Sequence, residues 1–199
     1  MSTAPTLAPG LHDTVHETQA AFRQVLDALS RPGQVRTLGP ALPAVALGGA
    51  MARLLLSLSD DETPVWWTQP DEALQQWLRF HTGAPVAALP QQAIFVVCTD
   101  ICQGLTLSDF ATGSADAPEF SCTLLVELPS LTDGPGLHWR GPGIQDVQQV
   151  NLQGLPAEFW VQWHANHASF PQGVDLILTC GEFAMGLPRT TRVHALKGV

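Results

Sequence analysis

The chain has 199 residues, 45% of them hydrophobic, which is enough for the core of one substantial domain and short of what two would need. Nine Lys and Arg stand against eighteen Asp and Glu, giving a formal charge of -9, and Lys197 is the sole lysine, so neither a general nucleic-acid binder nor an electrostatically held membrane protein is expected. Any anionic ligand would have to be held locally, by arginine.

Residues 1 to 12 lack a basic stretch followed by an apolar one and read as a flexible N-terminal tail rather than a secretory signal. The cytoplasm is therefore the expected compartment, and four cysteines are expected as reduced thiols. Residues 13 to 199 are expected to form a single α/β domain. From Asp13 to Ser30 the apolar Phe22, Val25, Leu26 and Leu29 recur at helical spacing, and Pro32 and Gly33 stop the pattern. QVRTL is a short strand, and a small-residue helix follows Pro43 and runs to about Leu58. The apolar stretch Thr37 to Ala52 is too short to span a bilayer.

TPVWW predicts a strand, with Pro64 at its first residue or on an edge, where no ladder donor is lost. QPDEALQQWLRFHTG predicts a helix that starts at Pro70 or Asp71 and stops at Gly83. The uninterrupted runs AIFVVCT at 93 to 99 and SCTLLVEL at 121 to 128 predict strands covered on both faces. Between them lies a loop or short helix. LHWRG is a further strand before the turn at 141 to 143, and PAEFWVQWHANH predicts a helix with Phe159, Trp160 and Trp163 on its buried side. Strands alternating with helices make a three-layer α/β arrangement the expected class.

Several chemistries fail on residue type. A Walker A loop needs its lysine at the phosphates, and a pyridoxal-phosphate enzyme needs an internal lysine for the Schiff base; Lys197, three residues from the end, suits neither. Gly-x-Ser-x-Gly and His-Glu-x-x-His signatures are absent. Cys98 and Cys102 have an offset that zinc could use, yet with no second pair they read better as inert thiols. His164 and His167, at the end of their helix, suit its dipole better than a metal, and the glycines of WRGPGI suit a plain turn better than a phosphate loop. Arg79 and His81 likewise read as a cationic helix end before they read as an anion site.

The closing stretch FPQGVDLILTCGEFAMGLPRTTRV predicts a hairpin. Both faces of its first strand are largely apolar, so that strand is interior, and Gly181-Glu182 suits a type II′ turn. Burial makes Cys180 a core thiol rather than a nucleophile. Pro188 ends the ladder and leaves Arg189, Thr190, Thr191 and Arg192 at a sheet margin, where the arginines could clasp a phosphate or dock an acidic partner.

AFRQVLDALSRPG at 21 to 33, DDETPVW at 60 to 66, LRFHTGAP at 78 to 85, GPGI at 141 to 144, and above all FPQGVDLILTCGE followed by GLPRTT make the chain resemble the H subunit family of the bacterial carbon-phosphorus lyase machinery, over nearly its whole length. The resemblance implies a mixed-sheet α/β/α fold similar to that of pyridoxal-phosphate-dependent transferases but without the cofactor. It implies association with the G, I and J subunits in a core complex, and a homodimer in isolation. With the G, I and L subunits, it implies support for replacing the adenine of ATP by a phosphonate, giving a ribose 1-phosphonate 5-triphosphate; ATP is then a substrate of the complex. It carries over no catalytic residue. Two readings stay open, a noncatalytic scaffold and a contributor of arginines to an ATP or phosphonate site, with an independent small-molecule enzyme or anion-binding protein using Arg189 and Arg192 as a third.

Overall fold

The computed structural model describes residues 7–100 and 106–195. In chain order its elements are α1 (Thr14–Ser30), β1 (Arg36–Thr37), α2 (Gly49–Leu58), β2 (Val65–Trp67), α3 (Glu72–Thr82), β3 (Phe95–Cys98), β4 (Thr123–Glu127), β5 (Gly136–Arg140), β6 (Gln148–Asn151), α4 (Ala157–Ala168), β7 (Asp175–Cys180), β8 (Phe183–Leu187) and β9 (Arg192–Ala195). A six-stranded mixed sheet runs β1-β8-β7-β4-β3-β2. Within it β2, β3, β4 and β7 are parallel, β8 runs antiparallel to β7, and β1, antiparallel to β8, runs in the same direction as the parallel set.

The uninterrupted apolar runs became the interior strands because both faces of this sheet are covered. Val97, Leu125 and Ile177 point into a core shared with α2 and α3, while Val96, Leu124, Val126, Leu176 and Leu178 point into a second core shared with α4. Each such side chain contributes about 1.5–3 kcal/mol of burial, whichever face it takes. β2 closes one edge of the sheet, as Pro64 led us to expect. At the helix ends, the Asp71 carboxylate accepts the Leu74 N–H at 3.0 Å and opens α3, and Gly83 closes it in the left-handed conformation. Between β7 and β8, Gly181 has φ +58, the first central position of a two-residue hairpin turn.

The sequence did not announce the cover on the second face. A three-stranded antiparallel sheet, β6-β5-β9, lies there beside α4 and contributes Leu137, Trp139, Val150 and Val193 to the core. Neither β6 nor β9 was predicted, and QVRTL shrinks to two paired residues. The helix expected after Pro43 begins only at Gly49. Residues 7 to 11 of the expected tail are not loose either. The indole N–H of Trp77 donates to the Pro9 carbonyl at 3.3 Å, and Ala8 and Leu11 pack against the core.

The buried face of α1 matches the predicted one at Val25 and Leu29 but not at Phe22 and Leu26. Ala21, Val25 and Ala28 are buried, whereas Phe22 and Leu26 are 45% and 52% exposed. Close approach explains the choice: a Cβ on Gly186 of β8 would lie 2.5 Å from the Ala28 carbonyl oxygen, so the helix meets the sheet through its small residues. Periodicity found the helix but ranked its faces by hydrophobicity, and here proximity decides.

The α1 and α2 helices are also joined by charge. Arg53, nearly buried on α2, donates through Nη1 to the Glu17 carboxylate on α1. The hydrogen bond from Arg53 and one from the Asp13 backbone hold the Glu17 carboxyl below its ordinary value of 4.5. Glu17→Gln leaves a buried guanidinium without its counter-ion. We expect a loss of about 2 kcal/mol in urea unfolding at pH 7, below the figure for fully buried pairs because Glu17 is 28% exposed. The Glu17 pKa is lower in the folded state than in the unfolded state. Its contribution is therefore complete above about pH 4.5, and wild type and variant converge as the pH falls through the folded-state value. A constant difference down to pH 2 would contradict this assignment.

Candidate functional site

The residues singled out at the end of the hairpin separate into an inward and an outward set. Arg189 is inward, with its side chain 11% exposed. Its Nε donates to both oxygens of Asp175 at 3.2 and 3.1 Å, and one Nη2 N–H goes to Asp175 Oδ2 at 2.5 Å. The other Nη2 N–H meets the Ser121 hydroxyl, and Nη1 donates to the Pro118 and Pro171 carbonyls, each at 3.2 Å. A guanidinium has five N–H donors, and all five are used. The backbone N–H of Arg189 adds a bond to Asp175 Oδ1 at 2.7 Å. A cleft of about 350 Å³ opens over this pair, lined also by Glu119, Phe170 and Thr190. A phosphate entering it would find no free donor on Arg189.

Thr191 is fully buried and belongs to the core rather than to a margin. Its neighbourhood is organised by α4. The indole N–H of Trp163 donates to the Thr191 carbonyl at 3.0 Å, His164 Nε2 bonds the Val193 carbonyl at 2.7 Å, and His167 Nδ1 bonds the Arg189 carbonyl at 2.8 Å. Three side chains of one helix thus satisfy three alternate carbonyls of the segment that becomes β9. A carbonyl can only accept, so the proton of His164 is on Nε2 and that of His167 on Nδ1. The helix covers a strand edge that would otherwise offer bare acceptors. The two histidines were expected to serve the helix dipole, and position alone could not show them pointing at a strand 22 to 29 residues further on.

Arg192 is outward and exposed. Its Nε donates to His167 Nε2 at 3.1 Å, the nitrogen that the Nδ1 bond leaves as acceptor. Across the ladder it stands directly opposite Arg140 of β5, and the next outward pair is His138 opposite His194. Sequence reasoning missed Arg140, His138 and His194. Alternation in LHWRG and RVHA puts His138 with Arg140, and Arg192 with His194, but nothing local brings together two strands that are 52 residues apart.

The other candidates lie elsewhere. Arg79 and His81 occupy the last turn of α3, where His81 Nε2 bonds the Ala8 carbonyl at 3.1 Å and holds the N-terminal segment. The WRGPGI glycines form a turn closed by Ile144 N–H to the Gly141 carbonyl at 3.1 Å. Cys98 is buried in β3, while Cys102 and Lys197 lie outside the described residues. Burial and the nearby Glu127 carboxylate raise the Cys180 thiol above its ordinary range, and its S–H donates to the Pro129 carbonyl. Glu127 in turn accepts from the Thr179 hydroxyl and from the Gly181 N–H at 3.0 Å, fastening the end of β4 to the hairpin turn. A cleft of about 360 Å³ between α4 and the segment around Leu107 is lined, among the described residues, by hydroxyl, amide and apolar groups and no charged one.

Comparison with known proteins gives this arrangement a context. Residues 9–194 match the model of a family described as bacterial phosphonate metabolism protein (PhnH). The chain belongs to that family. A PhnH relative from Rhizobium meliloti (strain 1021), named α-D-ribose 1-methylphosphonate 5-triphosphate synthase subunit PhnH, is 38% identical over 185 residues, which is 92% of each chain. The proposed C-P lyase subunit HtxG of Stutzerimonas stutzeri is 32% identical over 198 residues, covering all of this chain and 96% of the other. The segment Arg189 to Arg192, which overlaps the GLPRTT that carried the resemblance, is a mixed object, one arginine built into the fold and one presented to solvent.

Two measurements check the inward set. Arg189→Ala leaves the Asp175 carboxylate without its cation and the Pro118 and Pro171 carbonyls without donors; the expected loss in guanidinium unfolding is about 3 kcal/mol, and near wild-type stability would refute the clamp. Burial pushes the Cys122 thiol up to about 12, against the opposing pull of Arg189. Iodoacetamide at pH 7 should therefore leave Cys122 unmodified in the folded protein and modify it in denaturant, and rapid labelling of the native chain would contradict the placement.

Proposed function

We propose that this chain is an accessory, noncatalytic subunit of a phosphonate-catabolising assembly, docking with G, I and J subunits in a carbon-phosphorus lyase core complex. In this reading it supports, with G, I and L subunits, the formation of a ribose 1-phosphonate 5-triphosphate from ATP and an alkylphosphonate. It resides in the cytoplasm and forms a homodimer when isolated. The observation that carries the proposal is the match to PhnH proteins along essentially the whole chain, one of them named as a subunit of the triphosphate synthase.

The geometry favours a structural over a chemical role. A displacement at an anomeric carbon calls for a positioned acid or an electrostatic stabiliser with open donors. Arg189, His164, His167 and Glu127 all have their hydrogen bonds directed into the fold. Omitting the chain from a reconstituted mixture with the G, I and L subunits should abolish triphosphate product. Undiminished product without it would overturn the assignment. A second reading, contribution of an arginine to the substrate site, is favoured by one observation, the outward Arg192 beside Arg140. Arg192→Ala separates the two: assembly lost in a pull-down supports docking, whereas assembly kept with turnover lost supports substrate contact.

The likeness to pyridoxal-phosphate-dependent transferases belongs to this proposal as a likeness of fold, with no cofactor assigned. The sole lysine is Lys197. Adding pyridoxal phosphate to the purified protein should give no Schiff-base absorbance that Lys197→Ala removes. An aldimine band lost in that variant would overturn the cofactor-free reading.

A further inference from the structure

The outer face of the β6-β5-β9 sheet concentrates positive charge in a protein of net charge -9. Leu137, Trp139 and Val193 turn inward to the core, so alternation turns His138, Arg140, Arg192 and His194 outward. Arg140 pairs with Arg192 and His138 with His194 in the antiparallel register. His164 from α4 adds a third imidazole, its ring centroid 6.5 Å from that of His194, and His167 supports Arg192 from behind. Two of the chain's eight arginines and four of its seven histidines therefore gather around one small sheet and the helix beside it.

Three features distinguish this face from an ordinary solvated surface. Like charges directly opposed across a ladder repel, yet the pairing places two guanidiniums there. Among the described residues neither arginine forms an ion pair with a carboxylate, a property they share with Arg23 and Arg79 but not with Arg31, Arg36, Arg53 and Arg189, and they alone of these four stand opposite each other across a ladder. The Arg192 side chain is also held in place, because its Nε donates to His167 Nε2. A metal does not account for the imidazoles, since among the described residues no three His, Cys, Asp or Glu side chains are grouped to hold one.

We propose that this face is a binding site for a phosphate chain, with Arg140 and Arg192 clasping one phosphoryl group between them and His138 and His194 donating to the next. Cross-strand neighbours have Cβ atoms about 4.5–5.5 Å apart, so two guanidinium forks can close on one tetrahedral oxyanion, and successive outward pairs of a ladder can follow successive phosphates. The site is rigid because it is built on paired strands and its edge is fixed to α4. The choice of a triphosphate as occupant rests on the accessory-subunit reading above. The site itself rests on the geometry alone.

The test uses the full-length protein and tripolyphosphate as probe, followed by isothermal titration at about physiological salt, where diffuse attraction is screened beyond about 8 Å. Saturable one-to-one binding is expected, weakened roughly tenfold by Arg140→Gln or Arg192→Gln and lost in the double variant, with Arg23→Gln on the exposed side of α1 as a neutral control. Arg140→Lys should recover little of the affinity, because a point charge lacks the fork. Absence of saturable binding, its persistence in the double variant, or an equal loss in Arg23→Gln would each overturn the site. Methylphosphonate competing as well as tripolyphosphate would overturn the assignment to a phosphate chain. If the double variant instead fails to join the assembly while wild type ignores tripolyphosphate, the face is an acidic-protein dock and the proposal falls. That failure would leave the subunit assignment standing, because product formation in the reconstituted mixture reports on it separately.

Discussion

The guanidinium of Arg189 fixes the path of the last third of the chain. It neutralises Asp175 at the start of β7 and binds the carbonyls and hydroxyl of two loops, around Pro118 to Ser121 and at Pro171. A cation so nearly enclosed is tolerable only with a counter-ion and a full set of acceptors. Once those are supplied, the residues after it have little freedom. Thr191 goes into the core and Arg192 to the surface.

The same logic recurs wherever this charge-poor chain places a charged or polar side chain inside. Arg53 joins α2 to α1 through Glu17, and Glu127 holds the end of β4 to the turn between β7 and β8. On α4, Trp163, His164 and His167 act as donors to alternate carbonyls, which lets a helix cover the edge of β9 with no backbone ladder between them. Side chains that look like catalytic or metal-binding material in a list of residue types thus serve as fasteners. Arg140 and Arg192 differ because they face solvent, opposite each other, without a carboxylate among the described residues.

Much of this was legible from local pattern. The uninterrupted runs gave interior strands, Asp71 and Gly83 bounded α3, Phe159 and Trp163 marked the inner side of α4, and Gly181 sat at the hairpin turn. The misses share a cause. α1 buries Ala21 and Ala28 rather than Phe22 because its distance from Gly186 matters more than side-chain hydrophobicity. β6 and β9 are short, polar on one face, and acquire their strand character only by pairing with β5. Their signal is not in their own residues.

The sequence by itself determined the alternation of strands and helices, the scarcity of positive charge, the presence of one lysine, and, through FPQGVDLILTCGE and GLPRTT, the resemblance to a family that the full-length comparison bears out. These follow from residue types and short spacings, which act within a few positions along the chain. Only the tertiary structure decided which arginine of RTTR is a fastener and which is presented. That distinction depends on Asp175, Ser121, His167 and Arg140, each between 14 and 68 positions along the chain from the arginine it meets, beyond the reach of local pattern and brought together by strand pairing and by the requirement that a buried charge meet its partners.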